Sequence, residues 1–215
     1  MSTSTAPSIP RFLAVVGATT SGKTELSEAL AERLDMEIIS MDSRQVYRGM
    51  DIGTDKVSPR ARRSIPHHGL DLVDPSERYS AGQFARDVRR WIPEIESRGR
   101  VPLMVGGTGF FLRAVMKPIF EEPDLDRARL RYLRAWLAGQ ARERLEAWVR
   151  ILDPERADLA VEGGPQRMCR TLEVALLSGR PLSWWHETAP TEGEPVPGVV
   201  VALDVPRDEL DRRID

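Results

Sequence analysis

A buried-strand pattern that runs into a glycine-rich loop and then into a helix pattern constrains this chain most. Residues 12–16, FLAVV, are followed by GATTSGKT and by leucines and alanines at helical spacing up to Leu34. The loop fits GxxxxGK[ST], in which backbone amides and the positive start of a helix hold phosphate. Within it, Lys23 supplies a charge and the Thr24 hydroxyl a ligand for Mg²⁺. We therefore predict that a di- or triphosphate binds eight residues: Gly17, Ala18, Thr19, Thr20, Ser21, Gly22, Lys23 and Thr24.

The order of the remaining patterns predicts an α/β fold. Apolar strand patterns recur at 36–40, in VPLMV at 101–105 and in GVVVALDV at 198–205. Helix patterns follow the first three strands, at about 24–34, 80–98 and 110–116. Ser80 and Gln83 have the capping-box spacing that begins a helix. Such alternation builds a parallel sheet with helices on both faces. Because the GxxxxGK[ST] loop, or P-loop, follows the first strand, we predict a sheet like that of the P-loop NTPases.

The chain divides into four predicted segments. Residues 1–10 form a disordered lead-in, 11–117 the P-loop α/β core, 118–195 a helical insertion domain, and 196–215 a truncated return to the core. The insertion carries apolar residues at helical spacing over 124–152, and a second helix over about 165–178.

Composition excludes several other classes of protein. The chain has 215 residues, a net charge of −2 and a single cysteine, Cys169, which cannot form an intramolecular disulfide. No apolar run approaches the roughly 18 residues of a membrane helix, and the start lacks the features of a secretory signal. We therefore expect a cytoplasmic protein with no membrane contact, working as a monomer.

Polar residues follow two of the predicted strands. Asp42 comes just after the strand at 36–40, where ligands of parallel sheets bind, and could coordinate Mg²⁺ through water or act as a general base. A turn-forming role for Asp42 remains an alternative. Ser43, Arg44 and Gln45 follow, and each can hydrogen-bond a nucleobase or phosphate.

The second strand end carries Gly106-Gly107-Thr108-Gly109. This sequence presents Thr108 at the same edge of the sheet as Asp42, and its glycines allow a substrate close to the backbone. A tight connection without function would have the same composition.

These motifs together identify a family. GATTSGKT, DSRQVYRGMDIGTDK, HHGLDLVDPSERYSAGQF, GGTGFFLRAV and GPQRMCRTLEV follow one another as in the tRNA dimethylallyltransferases, also called tRNA isopentenyltransferases. The chain resembles that family over about residues 11–214. Its members transfer a dimethylallyl group from dimethylallyl diphosphate to N6 of the adenosine on the 3′ side of the anticodon. The resemblance also implies a longer chain, whose remainder supplies core helices, tRNA-binding surface and a further arginine for the diphosphate.

The resemblance implies roles for individual residues. The P-loop would hold the diphosphate with Mg²⁺ on Thr24, Asp42 would take the proton from the attacking amine, and Thr108 would contact the target nucleotide. The residues implied to touch the tRNA anticodon stem-loop are Asp42, Ser43, Arg44, Gln45, Thr108, Gln166, Arg167, Met168, Cys169 and Arg170.

Arginines in the insertion suggest a further RNA contact. Arg127, Arg131 and Arg134 are spaced to share one helix face, which could bind the tRNA backbone or be a solvated face paired with acids. Cys169 lies in an apolar helical pattern and is also interpreted as a core residue.

Three other functions remain open at the level of sequence. An isopentenyltransferase acting on free adenine nucleotides would share the P-loop and the base, although the GPQRMCR segment favours tRNA. A small-molecule P-loop kinase is a more distant alternative. A protein that binds tRNA or nucleotides without catalysis is the third.

Overall fold

The computed structural model describes residues 9–117, 119–120 and 123–214. The chain forms two compact units, one built from 1–118 together with 193–215, and the other from 119–192. We call them the α/β unit and the helical unit. The disorder predicted for residues 1–10 falls outside the described residues except at Ile9 and Pro10.

Seven strands lie among the described residues: β1 (Phe12–Gly17), β2 (Met36–Ser40), β3 (His67–His68), β4 (Val101–Gly106), β5 (Ile119–Phe120), β6 (Thr191–Glu192) and β7 (Gly198–Leu203). The described α-helices are α1 (Lys23–Arg33), α2 (Ala61–Ser64), α3 (Ala81–Ser97), α4 (Gly109–Met116), α5 (Arg127–Ala138), α6 (Arg142–Leu152), α7 (Ala157–Glu162), α8 (Pro165–Ser178), α9 (Leu182–Thr188) and α10 (Arg207–Ile214). None of the helices in this described part is both long and apolar enough to cross a lipid bilayer.

The α/β unit is built on a five-stranded sheet in the order β3-β2-β4-β1-β7. Every pairing in it is parallel, which confirms the predicted fold class. Because β1, β2 and β4 are neighbours and run in the same direction, their carboxyl ends meet at one edge. The P-loop, Asp42 and Thr108 follow those three ends. β3 was not predicted, since two histidines inside a glycine- and proline-rich span carry no strand signal.

Helix α3 begins as its sequence predicts. The Ser80 hydroxyl accepts a hydrogen bond from the Gln83 amide at 3.2 Å, and the Gln83 side chain accepts one from the Ser80 amide at 2.8 Å. The capping box satisfies two backbone donors that would otherwise lack a partner. The helix continues through Pro93 and buries Phe84, Val88 and Ile92 in the core of the α/β unit.

A buried carboxylate joins two strands to the end of α3. The Glu37 side chain on β2 is 1% exposed and accepts two hydrogen bonds from Arg98, at 2.8 and 2.7 Å. His68 lies 2.7 Å from the same carboxylate, and Arg100 lies 3.6 Å away. The Arg98 hydrogen bonds outweigh burial and, with His68, lower the pKa of Glu37 from 4.5 to about 2.

This lowered pKa makes the stability of the α/β unit dependent on pH. Ionised Glu37 contributes stability that is present above pH 4.5 and is lost as pH falls toward 2, by about 3 kcal/mol in all. We expect Glu37→Gln to lower the free energy of urea unfolding at pH 7 and to flatten its decline below pH 4.5. The exposed Glu32→Gln serves as a control. An unchanged acid profile in Glu37→Gln would contradict the assignment.

The helical unit has its own apolar core. Its buried residues are Leu137, Leu145, Val149, Ala157, Ala160, Met168 and Leu172. The prediction of α8 over 165–178 is confirmed. The prediction of a single helix over 124–152 was wrong, because α5 ends before Gly139 and α6 starts after Ala141. The apolar spacing passes over this break because both helices bury leucines in the same core.

Candidate active site

The P-loop joins the buried β1 to the start of α1. Thr20 and Gly22 take left-handed backbone conformations, with φ of 63° and 86°, so the loop turns back toward its own amides. Gly22 is the N-cap residue and has no side chain with which to cap the helix. The free amides of the first turn, which form the positive end of the helix dipole, therefore point toward the loop. An anion is favoured there.

Lys23 folds over this loop. Its ammonium donates a hydrogen bond to the carbonyl of Ala18 and lies 3.5 Å from the Ser21 hydroxyl. Burial lowers the pKa of Lys23, and the negative charge of Asp42 partly opposes that shift. The lysine and the candidate base therefore act on each other electrostatically within one site.

Two glycines allow the ends of the strands to meet. A Cβ atom on Gly17 would lie 2.8 Å from the Ser21 hydroxyl and 3.1 Å from the carbonyl oxygen of Leu203, so a side chain there would crowd Ser21 and the end of β7. A Cβ atom on Gly106 would lie 2.1 Å from the carbonyl oxygen of Met41. The end of β4 can therefore approach the chain just before Asp42 only because residue 106 is glycine.

Asp42 is half-buried at the end of β2. Its Oδ1 atom accepts hydrogen bonds from the amides of Arg44, at 2.7 Å, and Gln45, at 3.4 Å. The carboxylate therefore shapes the turn, which confirms the turn-forming alternative. It also lines the cavity described below, and its roles as a general base or a Mg²⁺ ligand stay predictions.

Thr108 is connected to the same turn. It is the N-cap residue of α4, and its hydroxyl oxygen accepts a hydrogen bond from the Ser43 amide at 3.3 Å. The predicted meeting of Thr108 with the Asp42 turn is therefore seen. Thr108 itself does not belong to the cavity lining, which includes the preceding Gly106 and Gly107.

Gln45 is engaged within the protein. Its side-chain nitrogen donates to the carbonyls of Thr54, at 2.9 Å, and Asp55, at 3.2 Å. Its side-chain oxygen accepts from the Ser40 hydroxyl at 2.8 Å. The contact of Gln45 with tRNA stays a prediction, as do those of the exposed Ser43 and Arg44.

These groups surround one cavity of about 650 Å³. The P-loop side of it runs from Thr19 to Thr24, and Asp42 and Gln45 lie on the β2 side. The rest of the lining comes from other parts of the α/β unit: Glu25, Ser27, Glu28, Ile38, Ser40, Thr54, Asp55, Val57, His67, Val105, Gly106, Gly107 and Arg213. The cavity therefore combines phosphate-binding groups, several acidic residues including Asp42, and apolar side chains.

Arg213 on α10 reaches the P-loop. Its guanidinium donates to the carbonyl of Thr20 at 3.2 Å and to the carboxylate of Glu209 at 3.0 Å. Sequence reasoning missed this residue and expected a further arginine for the diphosphate beyond the end of the chain. The one signal for it in the sequence is the arginine-containing helical pattern of the last residues. Its partner Thr20 lies 193 residues away in sequence, so no local pattern links the two.

We expect Arg213→Ala to raise the dissociation constant for inorganic diphosphate about tenfold, because it removes a cation from the cavity. The neighbouring Arg212→Ala is a matched control, since its side chain is 70% exposed and pairs with Asp208 and Glu209. Isothermal titration of both variants would measure the effect. Equal affinities for the two would exclude Arg213 from the phosphate site.

The residues of the helical unit that were predicted to bind tRNA differ in exposure. Gln166 and Arg167 are exposed at the start of α8, whereas Met168 is fully buried in the unit's core. Cys169 packs against that core, as its apolar pattern predicted, and burial raises the pKa of its thiol. Arg170 is half-buried, so the side chains of Gln166 and Arg167 are the better placed for RNA.

The predicted arginine face on α5 is divided. Arg127 and Arg131 are exposed, but Arg134 donates two hydrogen bonds to Glu173, at 2.6 and 2.8 Å. Glu173 is 4% exposed and also pairs with Arg170 at 3.7 Å. Arg134 therefore joins α5 to α8 inside the helical unit, while Arg131 remains available for an RNA contact.

Comparison with known proteins decides the family. A family model described as IPP transferase matches residues 45–215, which is more than half of the chain. The chain belongs to this family. A second family model, Isopentenyl transferase, matches residues 10–64. The resemblance inferred from the motifs is thereby confirmed.

Curated proteins and solved structures are similar to this chain. A tRNA dimethylallyltransferase of Halorhodospira halophila is 43% identical over 204 residues, covering 94% of this chain and 66% of the relative. One of Anaeromyxobacter dehalogenans is 41% identical, covering 95% and 68%. The full-length tRNA isopentenylpyrophosphate transferase of Bacillus halodurans is 34% identical with a TM-score of 0.57, covering 96% and 64%.

A eukaryotic dimethylallyltransferase acting on tRNA has a TM-score of 0.71 at 27% identity, covering 96% of this chain and 52% of that one. The chain spans 55% to 68% of the length of the curated tRNA dimethylallyltransferases that it matches.

Proposed function

We propose that this protein transfers a dimethylallyl group from dimethylallyl diphosphate to N6 of the adenosine on the 3′ side of the anticodon, in tRNAs that read codons starting with U. Diphosphate is released. The single observation that carries the proposal is the composition of the cavity, where a P-loop, the carboxylate of Asp42 and apolar side chains line one space. The P-loop suits the diphosphate, the apolar Ile38, Val57 and Val105 suit the dimethylallyl group, and Asp42 supplies a candidate base for the attacking amine.

The reaction breaks the C–O bond between the allylic carbon and the diphosphate and forms a C–N bond to the adenine amine. As the C–O bond lengthens, negative charge grows on the diphosphate. The amides at the start of α1, the Lys23 ammonium and the Arg213 guanidinium lie around the same cavity and stabilise that charge. The electrons of the broken bond leave with the diphosphate.

Asp42 takes the proton that the amine loses. The exocyclic amine of adenine is a weak nucleophile, so removing its proton as the C–N bond forms helps the reaction. The amides of Arg44 and Gln45 fix the orientation of this carboxylate. Thr108, joined to Ser43, lies beside this turn and contacts the target nucleotide. The base must leave its stack to reach the cavity.

Mg²⁺ is the proposed metal. Thr24 lines the cavity, and its hydroxyl is a hard oxygen ligand of the kind that Mg²⁺ binds. Bound there with the donor, the ion would supply further positive charge for the diphosphate.

The proposed RNA partner is the anticodon stem-loop. The exposed Ser43, Arg44, Arg131, Gln166 and Arg167 supply hydroxyl, amide and cationic groups that bind phosphate or bases. The protein is further proposed to work in the cytoplasm, as a monomer, which suits its tRNA substrate and its single cysteine.

The proposal is tested with radiolabelled dimethylallyl diphosphate and three acceptors. These are an anticodon stem-loop RNA with the target adenosine, the same RNA with guanosine there, and AMP. We expect label to enter only the first. Transfer to AMP would favour the isopentenyltransferase of free nucleotides, and ATP consumption without a donor would favour a kinase. RNA binding without transfer would identify a binding protein.

A further inference from the structure

Residues 51–57, which we call the wall loop, form one side of the cavity. Thr54, Asp55 and Val57 from this loop line the same space as the P-loop. The loop contains only one 3₁₀ turn, Ile52–Thr54, followed by Asp55 in a left-handed conformation with φ of 48°. Such a short segment keeps its position only if other parts of the protein hold it.

Gln45 provides the first hold. Both of its side-chain hydrogen-bonding atoms are used, the nitrogen on the carbonyls of Thr54 and Asp55, and the oxygen on the Ser40 hydroxyl. Because Ser40 ends the buried strand β2, this side chain ties the wall loop to the sheet. An amide bound on both sides in this way has little left to offer an RNA.

Lys56 provides the second hold. Its side chain is fully buried, and its ammonium contacts the Asp51 and Asp71 carboxylates, each at 2.8 Å, and the Tyr47 carbonyl at 2.7 Å. Burial opposes the charge, but the hydrogen bonds that the ammonium donates to the two carboxylates outweigh it and raise the pKa of Lys56. The lysine therefore stays charged and closes the loop from Asp51 onto Asp71.

A neighbouring arginine extends this hold. Arg62 donates to the second oxygen of Asp71 at 2.7 Å and to the carbonyl of Val57 at 2.8 Å. The wall loop is therefore fixed at its start through Asp51, in its middle through Thr54 and Asp55, and at its end through Val57.

We propose that Gln45 and Lys56 are positioning residues, which hold the wall loop against the cavity and thereby set the affinity for the organic part of a prenyl diphosphate. This inference rests on the proposed function. The wall brings the apolar Val57 to the cavity, which suits the prenyl group, together with Asp55, whose negative charge disfavours diphosphate. The proposed place of the diphosphate is the P-loop.

A loosened wall also admits water to the allylic carbon. In that side reaction the water oxygen bonds to the carbon, the C–O bond to diphosphate breaks, and a proton is released to solvent. The products are dimethylallyl alcohol and diphosphate. The share of donor that ends as alcohol rather than prenylated RNA therefore reports on the position of the wall.

The test compares Gln45→Leu and Lys56→Met with Arg63→Gln, an exposed arginine close in sequence to the loop. Dissociation constants are measured for dimethylallyl diphosphate without RNA, for inorganic diphosphate, and for the stem-loop RNA without donor. We expect both variants to raise the constant for the prenyl donor about tenfold, with the other two constants within about twofold of the wild type. The alcohol share should rise in the same two variants.

Different outcomes separate the alternatives. Gln45→Leu that weakens RNA binding but leaves donor binding unchanged would overturn the inference and make Gln45 an RNA contact. Equal losses for inorganic diphosphate and the prenyl donor would also overturn it, since the P-loop would then be disturbed. If Lys56→Met does not fold in urea titration, Gln45→Leu alone decides. Donor binding that responds to the variants, with no transfer to RNA, would sink the proposed function and leave this inference standing.

Discussion

Replacing Asp42 with asparagine is expected to slow prenyl transfer to RNA by about 10³-fold, because the amine loses its proton acceptor. Asparagine keeps an oxygen that can accept from the amides of Arg44 and Gln45, so the turn should retain its shape. Affinity for dimethylallyl diphosphate should therefore stay within about twofold of the wild type. Single-turnover transfer and equilibrium donor binding, measured on the same samples, separate the two effects.

Two further variants sharpen this expectation. Asp42→Ala removes the base and the turn's hydrogen bonds together, so it should abolish transfer and also disturb the position of Ser43. Asp74→Asn changes a carboxylate that is 60% exposed outside the cavity, and should transfer at the wild-type rate. Undiminished turnover in Asp42→Asn would remove Asp42 from the role of base.

Lys23→Ala is expected to weaken donor binding and chemistry together. In the proposed reaction the ammonium faces a diphosphate whose charge is already negative in the bound donor and grows further as the C–O bond breaks. We expect the donor dissociation constant to rise about tenfold and the single-turnover rate to fall about 10²-fold. Stopped-flow or quench measurements over a range of donor concentrations give both quantities.

The control for Lys23 is Lys117→Met, which removes an exposed lysine at the end of α4. It should leave both quantities unchanged. A Lys23→Ala variant that lost affinity alone would show that the lysine binds the donor equally in its ground and transition states. The charge on the departing diphosphate would then be stabilised by the helix start and Arg213 instead.

Local signals in the sequence predicted the α/β unit well. The apolar runs of β1, β2 and β4 and the Ser80 capping box each depend on residues within a few positions of one another. Because parallel neighbours place their ends together, these short patterns also predict that the P-loop, Asp42 and the Thr108 turn meet at one edge.

Features that depend on distant partners could not be predicted in this way. Arg134 appeared to be part of an exposed basic face, but its partner Glu173 lies 39 residues further on. Nothing in the sequence near Lys56 indicates that its side chain will be buried beside Asp71. The short β3 likewise depends on its pairing with β2. In each case the deciding energy comes from tertiary contacts, on which local composition carries no information.

The buried Glu173 has a consequence for how salt affects RNA binding. Arg134 and Arg170 share its charge, so they are partly neutralised before any nucleic acid arrives. An arginine that gives up its carboxylate partner to meet a phosphate releases fewer counterions from the RNA in net terms than one that was solvated. The steepness of the salt dependence should thus follow exposed cations such as Arg131 and Arg167, and a simple count of arginines in the helical unit overstates its ionic attraction for RNA.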